Sequence, residues 1–208
     1  MIYMKSSYLY FLILIFVAGT IMSCQKEIDG LSDGTINPAD QKPKVGTIWT
    51  YRFYTFYSYG PLATSRMLHF KATSEETIGG EKWLKIVDMD KDTTAYLLNM
   101  KTDGLHQYTN NGSYLLCKTP AAVNDVYTTF NDGSAETFTV KGVNDTLATG
   151  IGDIPMNYYE GVKSGYLIDL IWYNKNAWIV WETRYFRAVG PPGRYYLYSK
   201  MYLDDIVY

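Results

Sequence analysis

From residue 45 onward, apolar and polar residues alternate at period two in run after run, and turn signals separate the runs. A chain patterned this way can hide one face of each run only as a strand, because an amphipathic helix needs apolar residues three and four apart. In "GTIWTYRFYTFYSYG", Trp49, Tyr51, Phe53 and Tyr57 fall on one face and Thr50, Arg52, Tyr54 and Ser58 on the other. "RMLHFKATSEETI" then leads through "GGE" into "KWLKIVDMD", the pattern of a two-glycine hairpin in which Leu84 and Ile86 oppose Trp83, Lys85 and Val87. "AYLLNMKTDGLHQYTNNGSYLLCKT" offers three short strands broken at "TDG" and "NNG", and "DVYTTFNDGSAETFTVKGV" repeats the pattern around "NDG". "GYLIDLIWYN" reads as a strand. "NAWIVWETRYFRAV" and "RYYLYSKMYLDDIVY" form a long terminal hairpin across "GPPG", with Trp178, Val180, Glu182, Arg184 and Phe186 alternating with Ile179, Trp181, Thr183 and Tyr185. The pattern predicts an all-β fold with little helix: about ten strands in a curved antiparallel meander, closed as a half-barrel or sandwich.

The 21 tyrosines suit that fold, because a tyrosine buries its ring while its hydroxyl stays wet. Exposed rings could stack on a sugar, line an apolar cavity or form a partner interface; inward-facing rings would fill the core. Trp49, Tyr51, Trp178 and Trp181 are the candidate aromatic ligand contacts, for a glycan, a peptide or an apolar small molecule.

The first 23 residues follow a different logic. Lys5 precedes an apolar run from Tyr8 to Ala18, too short to span a bilayer comfortably, and this is the pattern of a secretory signal. Ile21, Met22 and Ser23 lead directly into Cys24, which resembles a bacterial lipobox. That resemblance implies cleavage before Cys24 and its acylation, palmitate included, and several acyl chains hold firmly at roughly 0.8 kcal/mol per buried methylene. Gln25, Lys26 and Glu27 resemble the short charged tag that Bacteroidota lipoproteins carry for display on the outer face of the outer membrane; a periplasm-facing anchor is the alternative. Residues 24–44 are rich in Asp, Gly, Pro, Gln and Lys and read as a flexible tether, reaching at most about 66 Å over twenty residues. The organisation expected is a signal at 1–23, an acylated cysteine with its tether at 24–44, and one β domain at 45–208.

Charge and motifs narrow the chemistry. The chain carries 19 Lys+Arg against 21 Asp+Glu, a formal charge of −2, which provides no basic footprint for nucleic acid. With Cys24 acylated, Cys117 has no disulfide partner, and its setting in "SYLLCKT" is that of a buried, inert thiol. His69 and His106 stand without a nucleophile motif, and no cofactor or phosphate-binding signature accompanies them. "DMDKD" at Asp88–Asp92 begins like a calcium loop, but Thr93 and Asn99 occupy the positions where Gly and Glu are required, so it reads as a hairpin turn. Glu160 with Asp169 or Glu182 could form the paired carboxylates of a hydrolase or lyase acting on polysaccharide. "DTT" and "DTL" match the short pattern on which exported Bacteroidota proteins are O-glycosylated, which would place glycans on Thr93 and Thr146.

"KVGTIWTYRF", "GGEKWLKIV", "YLLNMKTDGLHQY" and "IWYNKNAWIVWET" occur in an order that resembles a broad group of exported Bacteroidota lipoprotein β domains. The group is distantly similar to the lipoprotein-carrier proteins, whose half-barrel surrounds an apolar cavity. The resemblance covers most of residues 45–208 and implies a curved sheet. Unlike the carriers, this chain shows no helices to plug such a sheet.

Overall fold

Alternation becomes ladder in twelve segments. The computed structural model describes residues 41–57, 60–131, 134–163, 167–187 and 195–208, and among these there is no helix. The strands are β1 (Ile48–Phe56), β2 (Leu62–Ile78), β3 (Glu81–Asp88), β4 (Thr93–Lys101), β5 (Gly104–Thr109), β6 (Gly112–Lys118), β7 (Val126–Asn131), β8 (Ser134–Thr149), β9 (Gly152–Lys163), β10 (Leu167–Asn174), β11 (Trp178–Arg187) and β12 (Tyr195–Val207). The sequence pattern predicts about ten; the strand it leaves unassigned is β9, whose alternation is interrupted by Pro155 and Gly161. Cys24, Ser58 and the "NDG" and "GPPG" turns, apart from Asn131, lie outside the described residues.

All twelve strands form one antiparallel sheet in the order β6-β5-β4-β3-β2-β1-β12-β11-β10-β9-β8-β7. Every hairpin pairs with its sequence neighbour, and the first and last strands pair with each other at the centre, Ile48 opposite Val207 and Thr55 opposite Ser199. The two edges are therefore β6 and β7, which follow one another in the chain. No ladder joins them among the described residues, and side chains bridge the gap instead. Tyr127 Oη donates to the Leu116 carbonyl at 2.9 Å, and the rings of Tyr114 and Phe130 lie 5.0 Å apart. The sheet, from Ile48 to Val207, is thus a nearly closed barrel with one seam among the described residues. Of the closures expected, it is nearer the half-barrel than the sandwich.

The strand alternation places Trp49, Tyr51, Phe70, Val140, Tyr159, Tyr173, Trp178 and Leu203 inside, where they are buried with Ile86, Leu98, Leu105 and Cys117. Burying each large apolar side chain contributes roughly 1.5–3 kcal/mol, so this filling carries most of the favourable term. Tyr57 continues the alternation of β1 but lies past its end, 62% exposed. Trp83 is buried on the other face, covered by Lys101 Nζ 5.0 Å from its ring and by Tyr108. The outer wall also holds a row of rings running across five strands. Tyr158 stacks on Trp172 at 4.5 Å, and the row continues through Trp181 and Tyr202 to Tyr54.

Gly79 and Gly80, at φ 61° and 84°, make the β2–β3 turn that the "GGE" signal predicts. Gly161 has a different task. A Cβ there would stand 2.5 Å from Glu136 Oε1 and from the Phe138 ring, so its bare backbone makes room for two inward side chains of β8. Gly161→Ala is expected to destabilise the barrel by about 1–3 kcal/mol through overpacking. The measurement is the denaturant midpoint at unchanged slope; a midpoint equal to that of the parent chain would contradict this packing.

Candidate functional site

Antiparallel connectivity sends alternate loops to opposite ends of the barrel. One end carries the 57–61 and 89–92 connections; the other carries the 79–80, 119–125 and 175–177 connections together with Val45 and Tyr208. The interior differs between these ends.

Toward the first end the inward residues are polar. Register places Glu136 opposite Lys163, Gly161 opposite Asp169, and Asp169 opposite Arg184. Arg184 Nε lies 2.7 Å from Glu182 Oε1 and 3.4 Å from Asp169 Oδ1. Asp169 and Glu136 are fully buried. Burial pushes the Asp169 carboxyl up to about 8, with Arg184 opposing and the acids Glu136 and Glu182 adding to the rise. Glu160, by contrast, pairs with Thr139 and Leu170 on the outer face, so the structure separates it from Asp169 and Glu182. The pairing of Glu160 with either acid that the sequence leaves open does not occur, because adjacent positions of β9 point to opposite sides of the wall.

The middle of the barrel is apolar and nearly full. A cavity of about 80 Å³ remains between Trp49, Phe70, Leu98, Ile171, Trp178 and Met201, with Glu182 and Arg184 at one side. Sites that hold drug-sized ligands measure roughly 300–1,000 Å³, so this space takes a few waters or one small group. Cys117 is buried there, and burial raises its thiol well above the ordinary range, which makes it inert.

Two clefts open at the second end. One cleft of about 490 Å³ lies between Thr119, Ala121, Asn144, Asn157, Tyr173 and Lys175. Another of about 290 Å³ lies between Lys42, Met100, Lys101, Lys175 and Trp178. Thr119, Lys175 and Asn176 line both, so the two clefts meet at the β10–β11 turn. That turn is held tightly. Asn174 Oδ1 accepts from the backbone N–H groups of Asn176 (2.8 Å) and Ala177 (3.0 Å), and Asn174 Nδ2 donates to the Pro155 carbonyl at 2.8 Å. These bonds close an Asx turn.

Trp178 follows at φ 68°, a left-handed conformation that a bulky side chain rarely adopts. It is retained because its ring stacks on Trp49 at 5.1 Å and 21°, while Trp49 Nε1 donates to the Ala177 carbonyl at 3.1 Å. Backbone strain of this kind costs on the order of 1–3 kcal/mol and gathers at functional sites. Across the cleft, Asn157 Oδ1 accepts from the Asn144 backbone N–H at 3.2 Å and Asn157 Nδ2 donates to Tyr159 Oη, which donates in turn to the Lys118 carbonyl.

The four aromatic candidates divide accordingly. Trp49 and Tyr51 are core residues, and Tyr51 Oη donates to the Ile179 carbonyl at 2.8 Å. Trp178 is 7% exposed and separates the inner cavity from the smaller cleft, lining both. Trp181 sits in the outer ring row with Nε1 on Thr183 Oγ1, its faces turned to Trp172 and Tyr202. Thr93 and Thr146 are exposed, at the start of β4 and within β8. Asp88 caps the "DMDKD" turn, accepting from the backbone N–H groups of Asp90 and Lys91 and from Lys91 Nζ. His69 rests beside Asp90, and His106 lies between Asp103 and Ser113.

A filled, twelve-stranded antiparallel meander barrel with polar clefts at one rim is the class that this fold and site define. No family model matches the chain, and no curated protein matches it. Among solved structures it is similar to a protein from Bacteroides fragilis NCTC 9343 named as exported and as having a YmcC-like fold. The two share 12% identity with a TM-score of 0.49, over 81% of this chain and 98% of that one.

The Asp169 assignment is testable by pH. The folded chain keeps a proton on Asp169 that the unfolded chain releases near pH 4, so this group's contribution to stability is complete below about pH 4 and is lost as pH rises toward about 8. Asp169→Asn keeps the neutral shape and is expected to flatten that part of the stability–pH curve, read from unfolding midpoints between about pH 5 and about pH 8. A slope unchanged in the variant would assign the pH dependence to another group.

Proposed function

We propose that the protein is a lipid-anchored binding module, displayed at the cell surface and without turnover of its own, whose contact site is the rim clefts. The observation carrying this reading is the contrast in space: about 80 Å³ inside the barrel against about 490 and 290 Å³ at the rim. A carrier of a bulky apolar ligand needs a roomy interior, and here side chains occupy it. A polysaccharide hydrolase or lyase needs paired carboxyl groups that reach substrate, whereas Asp169 is wholly buried and Glu160 stands on the opposite side of the wall from Asp169 and Glu182. The lipobox around Cys24, the charged residues after it and the polar tether supply the anchor and the display. Thr93 and Thr146, both exposed, are the positions proposed to carry O-glycans.

Two measurements test the reading. Cys24→Ala is expected to abolish acyl labelling and to move the protein from the membrane to the soluble exported fraction; resistance of the parent protein to protease added to intact cells would indicate a periplasm-facing anchor instead. A diazirine side chain at Ala121, in the larger cleft, is expected to give a mass-shifted adduct on illuminated cells, whereas the same group at the exposed Val162 on the outer wall gives none. Equal labelling at both positions, or none at Ala121, would remove the clefts as the contact site.

A further inference from the structure

We infer that the joined rim clefts take an anionic oligosaccharide, with Lys42 and Lys175 on its acid groups and the Asn144 side-chain amide on its hydroxyls; this names the ligand class of the binding module proposed above and rests on that reading. The first support is charge. The clefts are lined by Lys42, Lys101 and Lys175 and by no Asp or Glu among the described residues, in a chain whose formal charge is −2. Of the cleft lysines, Lys101 already holds Glu81 at 2.7 Å, while no ion pair among the described residues involves Lys42 or Lys175, a state they share with Lys44, Lys71, Lys141 and Lys200. Two exposed ammonium groups beside a concave surface lined by no carboxylate among the described residues favour an anion.

The second support is the hydrogen-bonding inventory. A side-chain amide both donates and accepts, which matches a hydroxyl group. Asn157 and Asn174 are committed to the scaffold, while Asn144 is exposed at the cleft wall and only its backbone N–H is used in holding the wall together. Thr119 adds a hydroxyl where the clefts meet. In the floor, Tyr173 and Trp178 are buried rings, 1% and 7% exposed, that close the cleft with apolar carbon without an open ring face.

The third support is the strain at Trp178. A left-handed tryptophan fixes the direction in which the Asn174–Trp178 turn leaves the barrel, and that direction sets Lys175 and Asn176 at the junction of both clefts. Other anionic partners fit less well. Nucleic acid asks for a basic track with open ring faces for bases, and here the rings lie in the floor and there is no basic stripe. A membrane surface is flat and does not follow a concave wall, although the exposed Lys175 can reach one, and vesicle binding separates the two.

The test uses the full-length chain purified in detergent, with fluorescence anisotropy of labelled tetragalacturonate as the acidic probe and labelled maltotetraose as the neutral one. The acidic probe is expected to bind at least about tenfold more tightly, to weaken as salt is raised, and to lose about tenfold or more in Lys175→Glu. Lys175→Gln, which changes charge alone in an exposed turn, should show an intermediate loss with an unaltered unfolding midpoint. Equal affinity for the two probes, or acidic binding indifferent to both Lys175 variants, would overturn the proposal. Anionic phosphatidylglycerol vesicles form a third arm: binding to them that depends on Lys175, with no binding of either sugar, assigns the clefts to a lipid headgroup and also overturns it. Where neither sugar binds while the Ala121 diazirine still gives its cleft-specific adduct, the ligand class fails and the binding module stands. Loss of both removes the two readings together.

Discussion

The pairing of β1 with β12 is the constraint on which the rest of the barrel depends. It joins residues about as far apart in the chain as the folded part allows, Ile48 with Val207, and it lies at the centre of the sheet. Each half of the chain is otherwise a simple meander with an exposed inner face. Docking the halves along this one ladder covers those faces at a single step, since Trp49, Tyr51 and Leu203 then enclose Phe70 and Val180. Contacts so distant in sequence are slow to form, so the early and late parts of the chain each wait on the other before a core exists.

The two halves also explain where charge can sit inside. β8 to β11 bring Glu136, Asp169, Glu182 and Arg184 into a barrel whose other half is almost wholly apolar. Gly161 makes the room they need. The acids are tolerated because they share a neighbourhood with Arg184 and because Asp169 can hold its proton, which lowers the cost of burial.

Much of the fold was legible from periodicity. Alternation placed Trp49, Tyr51 and Val180 on one face, and the "GGE", "TDG" and "NNG" turns fall where hairpins β2–β3, β4–β5 and β5–β6 close. Closure was less legible. Nothing in the local pattern of "TIWTYRF" says that its partner is "YSKMYLDDIV", because register between distant strands depends on the whole sheet. The site was the least legible part. Aromatic surplus pointed to Trp49, Tyr51, Trp178 and Trp181, yet the first two are core and the last is spent on neighbouring rings. The residues that border open space, Lys175 and Asn144, lie in segments that look like ordinary polar connections. The available signal was "YNKNAW", an Asx turn running straight into tryptophan, whose tension between turn and bulk becomes visible once φ is known.

The seam between β6 and β7 bears on how such a chain relates to its neighbours in sequence space. Read from edge to edge, the sheet runs β7 to β12 and then β1 to β6, so a gene rearranged to begin at β7 and end at β6, with Tyr208 linked to Val45, would trace the same wall in unbroken order. The natural chain is that plain meander with its ends moved to the middle. Val45 and Tyr208 consequently lie on the cleft side of the barrel, so the point where such a rearranged chain would be joined is the same rim that carries the clefts.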